Sequence, residues 1–391
     1  MHKEKYFGIS RRIARWKLDT LLENWLASKA DNSAFFRFLY LKYYAIFDSR
    51  YYLKGRQMAY DAIKDHAVAK GWGMDDNDII DDMIYCLHRY GFSFQDYIAF
   101  DFPRKSSLAR NEYISDKLRY YYCDILNGEH IEALMTDKYK CYQTYEQYYK
   151  REILGCYSIN ELNKFLLFYN KNNAFIYKPL GSHSGRGIEI IQADKQLIPE
   201  EFYRQKIQDG PFVVEELIQQ GYEMAQLHPN SINTLRVVSF RNADTVDILL
   251  TFLRMGVANS VVDNGGAGGI MANVNIDSGI VDSKGMDFTG AKYAIHPDTN
   301  IPIIGYQIPQ WLEAKELIAQ LAKHIEGTTF ISWDIAFSKN GWCLVEANDC
   351  GALKGAQMTY GRGLKRELFE MMDDYFVHAS NKINETQSTT R

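Results

Sequence analysis

Two carboxylates and an amide near the C-terminal end of the sequence have a spacing that suits a divalent cation. In Thr329-Phe-Ile-Ser-Trp-Asp-Ile-Ala-Phe-Ser-Lys-Asn-Gly-Trp-Cys-Leu-Val-Glu-Ala-Asn348, two β-rich runs flank Lys339-Asn340-Gly341 and read as a hairpin. Alternation puts Ile331, Trp333, Ile335 and Phe337 on one face, with Ser332 and Asp334 on the other. Glu346 and Asn348, two apart, share a face. The turn decides whether the acids meet. A two-residue Asn-Gly loop pairs Asp334 with Ala347 and sends Glu346 to the opposite side. A three-residue loop with Gly341 in the left-handed region sets Asp334 across from Glu346 and Asn348 across from Ser332. Facing carboxylates repel unless a cation joins them, and Asp, Glu and Asn oxygens are hard donors of the kind Mg²⁺ takes. The alternative is a solvated acidic face on an edge hairpin.

A second constellation surrounds a lysine. Phe175-Ile-Tyr-Lys-Pro-Leu-Gly-Ser-His-Ser-Gly-Arg-Gly-Ile188 places Lys178 at the end of an apolar strand, followed by a loop containing Gly181, Gly185 and Gly187. A lysine in a buried strand needs an anion, and a Gly/Ser loop offers backbone N–H groups to phosphate. The segment is neither a P-loop nor a serine-hydrolase elbow, since His183 occupies the centre of Gly-Ser-His-Ser-Gly. An ordinary hairpin turn is the competing explanation, and a loop histidine is more often incidental than catalytic. Downstream, Pro211-Phe-Val-Val-Glu-Glu-Leu-Ile218 is an apolar strand ending in two acids. Arg236 and Arg254 lie inside strands, where each pairs with a neighbouring acid or clamps a phosphate or carboxylate.

The elements that must position these groups fall into two halves. Up to about residue 155, apolar residues recur at helical spacing, as in Ile79, Ile80, Met83, Ile84 and Leu87. Helices are expected over 108–126 and 136–151, the second capped by Thr136 or Asp137. The chain has 28 Tyr and 21 Phe, and the tyrosines concentrate in this half, which reads as an aromatic helical core or, alternatively, as an exposed membrane- or glycan-facing surface. Strands follow at 174–179, 187–193, 211–218, 232–240, 246–257, 270–277, 329–338 and 342–348, with helices at 158–170, near 199–207, at 309–326 and at 363–382. The fold class is α+β, with a helical N-terminal domain over 1–125, a second domain over 126–382, and a polar tail, 383–391, expected to be disordered.

Composition excludes several classes. The 391-residue chain is 46% hydrophobic and 24% charged with formal charge −4, so it has no global basic field for nucleic acid. Six scattered cysteines without C-x-x-C spacing imply reduced thiols. No apolar run is long enough for a transmembrane segment, and Met1–Asp19 lacks the core of a secretory signal, so a cytoplasmic location is expected.

The order of these pieces (strand lysine, Gly loop, Glu-Glu strand end, strand arginines, then Asp…Glu-x-Asn) resembles the ATP-grasp superfamily over about residues 130–360. More narrowly it resembles the sugar-transfer-associated ATP-grasp family of cell-surface polysaccharide biosynthesis. The closer likeness rests on Thr136-Asp137-Lys138, Ser231-Ile-Asn-Thr-Leu-Arg236, His296-Pro-Asp-Thr299, Ile308-Pro-Gln-Trp311, Trp333-Asp-Ile-Ala336 and Val345-Glu-Ala-Asn348. The resemblance implies two α+β lobes clasping ATP, a nucleotide lobe over about 136–220 and a metal/acceptor lobe over about 221–382. It implies that Lys178 and Lys138 bind phosphates, with Ser182, His183, Ser184 and Gly185 in the phosphate loop. Glu215, Glu216 and Leu217 would form the adenine hinge, and Glu223 would meet the ribose. Asp334, Glu346 and Asn348 would hold one or two Mg²⁺, and Arg236 and Arg254 would lie by the transferred phosphoryl group. The Asn264–Gly269 segment is a candidate lid or a plain turn.

The activity so implied is an ADP-forming carboxylate–amine ligase working through an acyl phosphate, with a small-molecule carboxylate and amine as substrates. An amino acid joined to a uronic acid of a nucleotide- or lipid-linked sugar is one such pair. A kinase on the same fold and a non-catalytic nucleotide-binding scaffold are the alternatives, the intact acidic set weighing against the scaffold.

Overall fold

The computed structural model describes residues 21–389 apart from 48, 65, 67–70, 181–186, 194–196, 244 and 264. The chain forms two compact units. One takes in the chain up to Leu126, the segment Met286–Lys292 and the chain from Ala352 on; the other holds Asn127–Gly285 and Tyr293–Gly351. The C-terminal helices, assigned on sequence to the second domain, thus cluster with the N-terminal ones.

The first unit is helical. Its helix Asp76–Tyr90 starts where the Asp75 carboxylate accepts from the Asn77 N–H and stops at Gly91, which has φ 79°. The expected stripe Ile79, Ile80, Met83 and Ile84 is buried, against a core that includes Tyr85, Phe92, Phe94, Tyr97 and Phe102. The aromatic-rich half thus builds a packed interior, while Trp25, Phe35, Phe38 and Tyr60 stay exposed on its surface. A buried ion pair runs through it: Asp82 meets Arg110 at 2.8 Å and accepts from the Tyr97 hydroxyl at 2.7 Å. Residues 108–126 form two helices, Ser107–Asn111 and Asp116–Leu126, where one was expected. Gln357 joins the C-terminal segment to this core by bonding both the N–H and the C=O of Ile114, at 2.7 and 2.9 Å. The last helix spans Lys365–Thr389, so helix covers most of the stretch expected as a disordered tail. No helix among the described residues is long and apolar enough to cross a membrane.

The second unit carries two antiparallel sheets. The strands are β1 Ile153–Cys156, β2 Ala174–Pro179, β3 Glu189–Gln192, β4 Phe212–Glu216, β5 Thr234–Asn242, β6 Thr245–Met255, β7 Ile270–Asn273, β8 Gly285–Met286, β9 Lys292–Tyr293, β10 Phe330–Ser338 and β11 Gly341–Asn348. The smaller sheet has the order β1-β4-β2-β3 and the larger β11-β10-β5-β6-β7-β8-β9. β1 escapes sequence patterning because four residues with a central glycine carry too little alternation. Helix Lys138–Tyr149 begins at Asp137, whose carboxylate accepts from the Lys140 N–H at 3.1 Å; of the two caps considered, Asp137 is the one used.

The period of two governs the larger sheet. Ile331, Trp333, Ile335 and Phe337 of β10, with Leu235, Val237 and Leu253 beside them, face helix Trp311–Lys323 and form the core. Trp333 is fully buried, its indole N–H donating to Ser239 Oγ at 2.8 Å and its ring meeting Tyr145 at 5.7 Å. Trp333→Ala should cost roughly 3–5 kcal/mol through the cavity it leaves. Thermal unfolding checks this, and an unchanged melting temperature would contradict the packing.

Candidate functional site

The face of the larger sheet opposite that core carries the polar side chains. Asp334 pairs with Glu346 of β11 on one side and with Arg236 of β5 on the other, and Ser332 pairs with Asn348. Thr234 pairs with Arg254 of β6. Direct cross-strand neighbours share a face, so Glu346, Asp334 and Arg236 form one row, with Thr234 and Arg254 in the next. The hairpin reaches this register by a route neither turn option contains. Ser338 pairs with Gly341 around Lys339-Asn340, and the register then shifts by one where Val345 bulges between Leu344 and Glu346. Gly341 takes the left-handed φ of 85° that the turn requires.

Asp334 is buried. Its carboxylate accepts from Arg236 at 2.5 and 2.7 Å and from Arg254 at 3.0 Å. Burial works to raise its pKa, but the two guanidiniums outweigh it and hold the carboxyl below its ordinary value. Arg254 responds in the opposite sense: burial opposes its charge, while Asp263 and Asp334 favour it and raise its pKa. Glu346 is half-exposed with Lys138 Nζ at 3.9 Å, and the Asn348 amide nitrogen is buried with no partner among the described residues.

The smaller sheet contributes a second buried anion. Glu215 of β4 takes Lys178 of β2 at 2.6 Å and Arg151 at 2.8 Å. Arg151 also donates to the backbone carbonyls of Leu344 and Val345, at 2.7 and 3.3 Å. Those carbonyls flank the bulge, where the ladder is interrupted, so one guanidinium ties the two sheets together. Lys138, Lys178, Glu215 and Glu346 line a single cavity of about 20 Å³ with an apolar floor that includes Ile153 and Val213.

Other expected site residues among those described do not line that cavity. Glu216 spends its carboxylate on the Glu152 N–H at 3.2 Å and its own N–H on the Glu152 carbonyl at 3.0 Å. Leu217 is half-buried beyond β4, and Glu223 is exposed at the start of helix Tyr222–Ala225. Ser182, His183, Ser184 and Gly185 lie outside the described residues, as does Asn264. His296 is buried and bonded to the Gly256 carbonyl at 2.9 Å, a structural placement. Sequence reading missed Arg151, which stands in the charged run Lys150-Arg151-Glu152 and looks like surface, and Asp263, which looks like a turn acid.

The donor types fit a hard divalent cation: two carboxylates across one strand pair, with the Asn348 side-chain amide, whose oxygen is the hard donor, on the same face. Among the described residues no three His, Cys, Asp or Glu gather around one point, so phosphate and water oxygens would have to complete the shell.

Glu215 gives the site a pH signature. Burial raises its pKa, but Lys178 and Arg151 prevail and bring it down to about 2. A depressed folded-state pKa adds stability above the ordinary carboxylate range, and that stability is lost as pH falls from about 4.5 toward 2. Glu215→Gln should cost roughly 3–5 kcal/mol at neutral pH by leaving two cations unpaired, and should flatten this acid limb. Melting temperatures across pH check both; a variant as stable as the parent would remove the ion pair from the account.

The sequence model of the sugar-transfer associated ATP-grasp family matches residues 106–372. No curated protein matches the chain. Among solved structures, the ADP complex of N5-carboxyaminoimidazole synthetase from Staphylococcus aureus is similar at 13% identity and TM-score 0.39, covering 62% of this chain and 53% of that one. The chain thus spans about half the length of that synthetase. D-alanyl-alanine synthetase A from Vibrio cholerae is similar at 11% identity and TM-score 0.40, with 64% and 68% covered. D-alanine-D-alanine ligase from Helicobacter pylori is similar at 16% identity and TM-score 0.37, with 66% and 65% covered. The family match spans well over half of the chain and both of its sheets: the protein belongs to the sugar-transfer associated ATP-grasp family and has the ATP-grasp fold.

Proposed function

We propose that this chain is an ATP-dependent ligase that activates a carboxylate as an acyl phosphate and transfers the acyl group to an amine. The observation that carries this reading is the shared cavity of Lys138, Lys178, Glu215 and Glu346, set beside the row Asp334–Arg236 and Arg254. Two lysines and two arginines converge with three acids, a set that suits polyphosphate and metal together.

The residues divide the work by chemistry. Lys178 and Lys138 neutralise phosphate charge from the smaller sheet and the helix that precedes it. The cavity as described has room for about one water, so nucleotide entry requires the sheets to part and Lys178 to turn from Glu215 toward phosphate. Glu215 and Glu216 at the end of β4, with Leu217 just beyond it, are the proposed adenine edge, with Glu223 on the ribose side and Ser182, His183, Ser184 and Gly185 as the proposed phosphate contacts. Asp334, Glu346 and Asn348 would hold one or two Mg²⁺ ions, which supply charge neutralisation on the transferred phosphoryl group. Arg236 and Arg254 orient that group and the incoming carboxylate. A carboxylate oxygen attacks the γ-phosphorus and ADP leaves. The amine nitrogen then attacks the acyl carbon, phosphate leaves, and the nitrogen loses a proton. Water must be excluded between the steps. The family's association with sugar transfer supports a surface-polysaccharide precursor as substrate, with a uronic acid and an amino acid as the pair to try first, and a cytoplasmic site of action where ATP is available.

With Mg-ATP, hydroxylamine and a panel of amino acids and uronic acids, carboxylate-dependent ADP release should yield a hydroxamate. Asp334→Asn and Lys178→Ala should each lower the rate by at least about 100-fold. ADP accompanied by a phosphorylated sugar and no hydroxamate would replace the ligase with a kinase.

A further inference from the structure

Asp334 has two carboxylate oxygens and, on the function proposed above, three cationic partners: Arg236, Arg254 and a magnesium ion. The two arginines are not held alike. Among the described residues Arg236 hydrogen-bonds to Asp334 alone. Arg254 has a second anchor on its other side. Its Nε and Nη2 donate to Thr234 Oγ1 at 2.8 and 2.7 Å. Asp263 Oδ2 accepts from both the Thr234 N–H, at 2.9 Å, and the Thr234 hydroxyl. It also lies 3.6 Å from Arg254 Nε. Asp263 is buried, follows β6, and immediately precedes the glycine-rich Asn264–Gly269 segment.

We propose that Asp263 is a positioning residue that holds the Arg254 guanidinium in place through Thr234 while Asp334 is engaged by the metal. The proposal rests on the nucleotide site of the preceding subsection and goes beyond it by separating the two arginines. When Asp334 turns to the metal, Arg236 loses its described partner and is free to follow the phosphoryl group. Arg254 keeps a fixed address, because the Thr234–Asp263 relay comes from a different strand end and needs nothing from Asp334.

The test compares the affinities of the full chain for Mg-AMPPNP and Mg-ADP by calorimetry, since an aimed Arg254 matters for the third phosphate and little for the first two. Asp263→Ala should weaken Mg-AMPPNP about tenfold, the worth of one charge-assisted hydrogen bond, with little change for Mg-ADP. Asp263→Asn keeps an acceptor oxygen for Thr234 and should recover most of the loss. In an Arg254→Met background, Asp263→Ala should add nothing further. Equal weakening of both nucleotides, an additive double variant, or no rescue by Asn would overturn the relay. If Asp263→Ala does not fold, Thr234→Val removes the linking hydroxyl alone and should give the same selective loss, an unchanged affinity ratio overturning the proposal. A parent chain that binds neither nucleotide would instead defeat the nucleotide site itself, and the relay with it.

Discussion

A carboxylate buried away from water is tolerated only where cations and hydrogen-bond donors replace its hydration, and Asp334 imposes that condition on everything around it. Its place on the middle strand of a row, with Glu346 to one side and Arg236 to the other, follows from antiparallel pairing together with the bulge at Val345. Glu346 would repel it. Arg236 and Arg254 neutralise it, and the burial of Arg254 makes that guanidinium depend on acids in turn. The polar face is therefore a balanced set of charges: a change of partner at Asp334 must move at least one arginine. A phosphate-bearing ligand with its metal brings both the anion and the cation needed for such an exchange.

Glu215 repeats the arrangement on the smaller sheet, with Lys178 and Arg151 in place of the two arginines. Arg151 connects the two centres, since its Nη1 and Nη2 also reach the carbonyls at the bulge that sets Glu346 opposite Asp334. The bulge thus has two consequences. It turns the acidic residue into the row, and it exposes carbonyls by which the smaller sheet grips the larger.

Much of this was open to sequence reading because strand alternation is local. Trp333 in the core and Asp334 on the opposite face follow from a period of two, and family order singled out Lys138, Lys178, Arg236 and Arg254. The hairpin register was reached for a different reason than expected: a two-residue turn plus a bulge gives the same pairing as a three-residue turn, and no local signal at Val345 announces the bulge. Arg151 and Asp263 stayed hidden because their partners are 64 and 29 residues away in sequence. A charged residue beside other charged residues looks solvated until tertiary contacts bury it. Glu215 was expected at an adenine edge, and nothing in Val214-Glu215-Glu216 reveals that it is the counter-ion of two cations. Helix continues from Lys365 to Thr389, beyond the apolar pattern that suggested an earlier end.

The central claim is that Asp334 exchanges its arginine partners for a metal carried by the nucleotide. Anomalous diffraction from crystals grown with Mn²⁺ and AMPPNP tests it most directly. The account predicts a manganese peak bounded by Asp334, Glu346 and Asn348, with Lys178 on a phosphate and the Arg236–Asp334 contact opened. A metal bound elsewhere, or a nucleotide bound with Asp334 still clasped by both arginines, would contradict it.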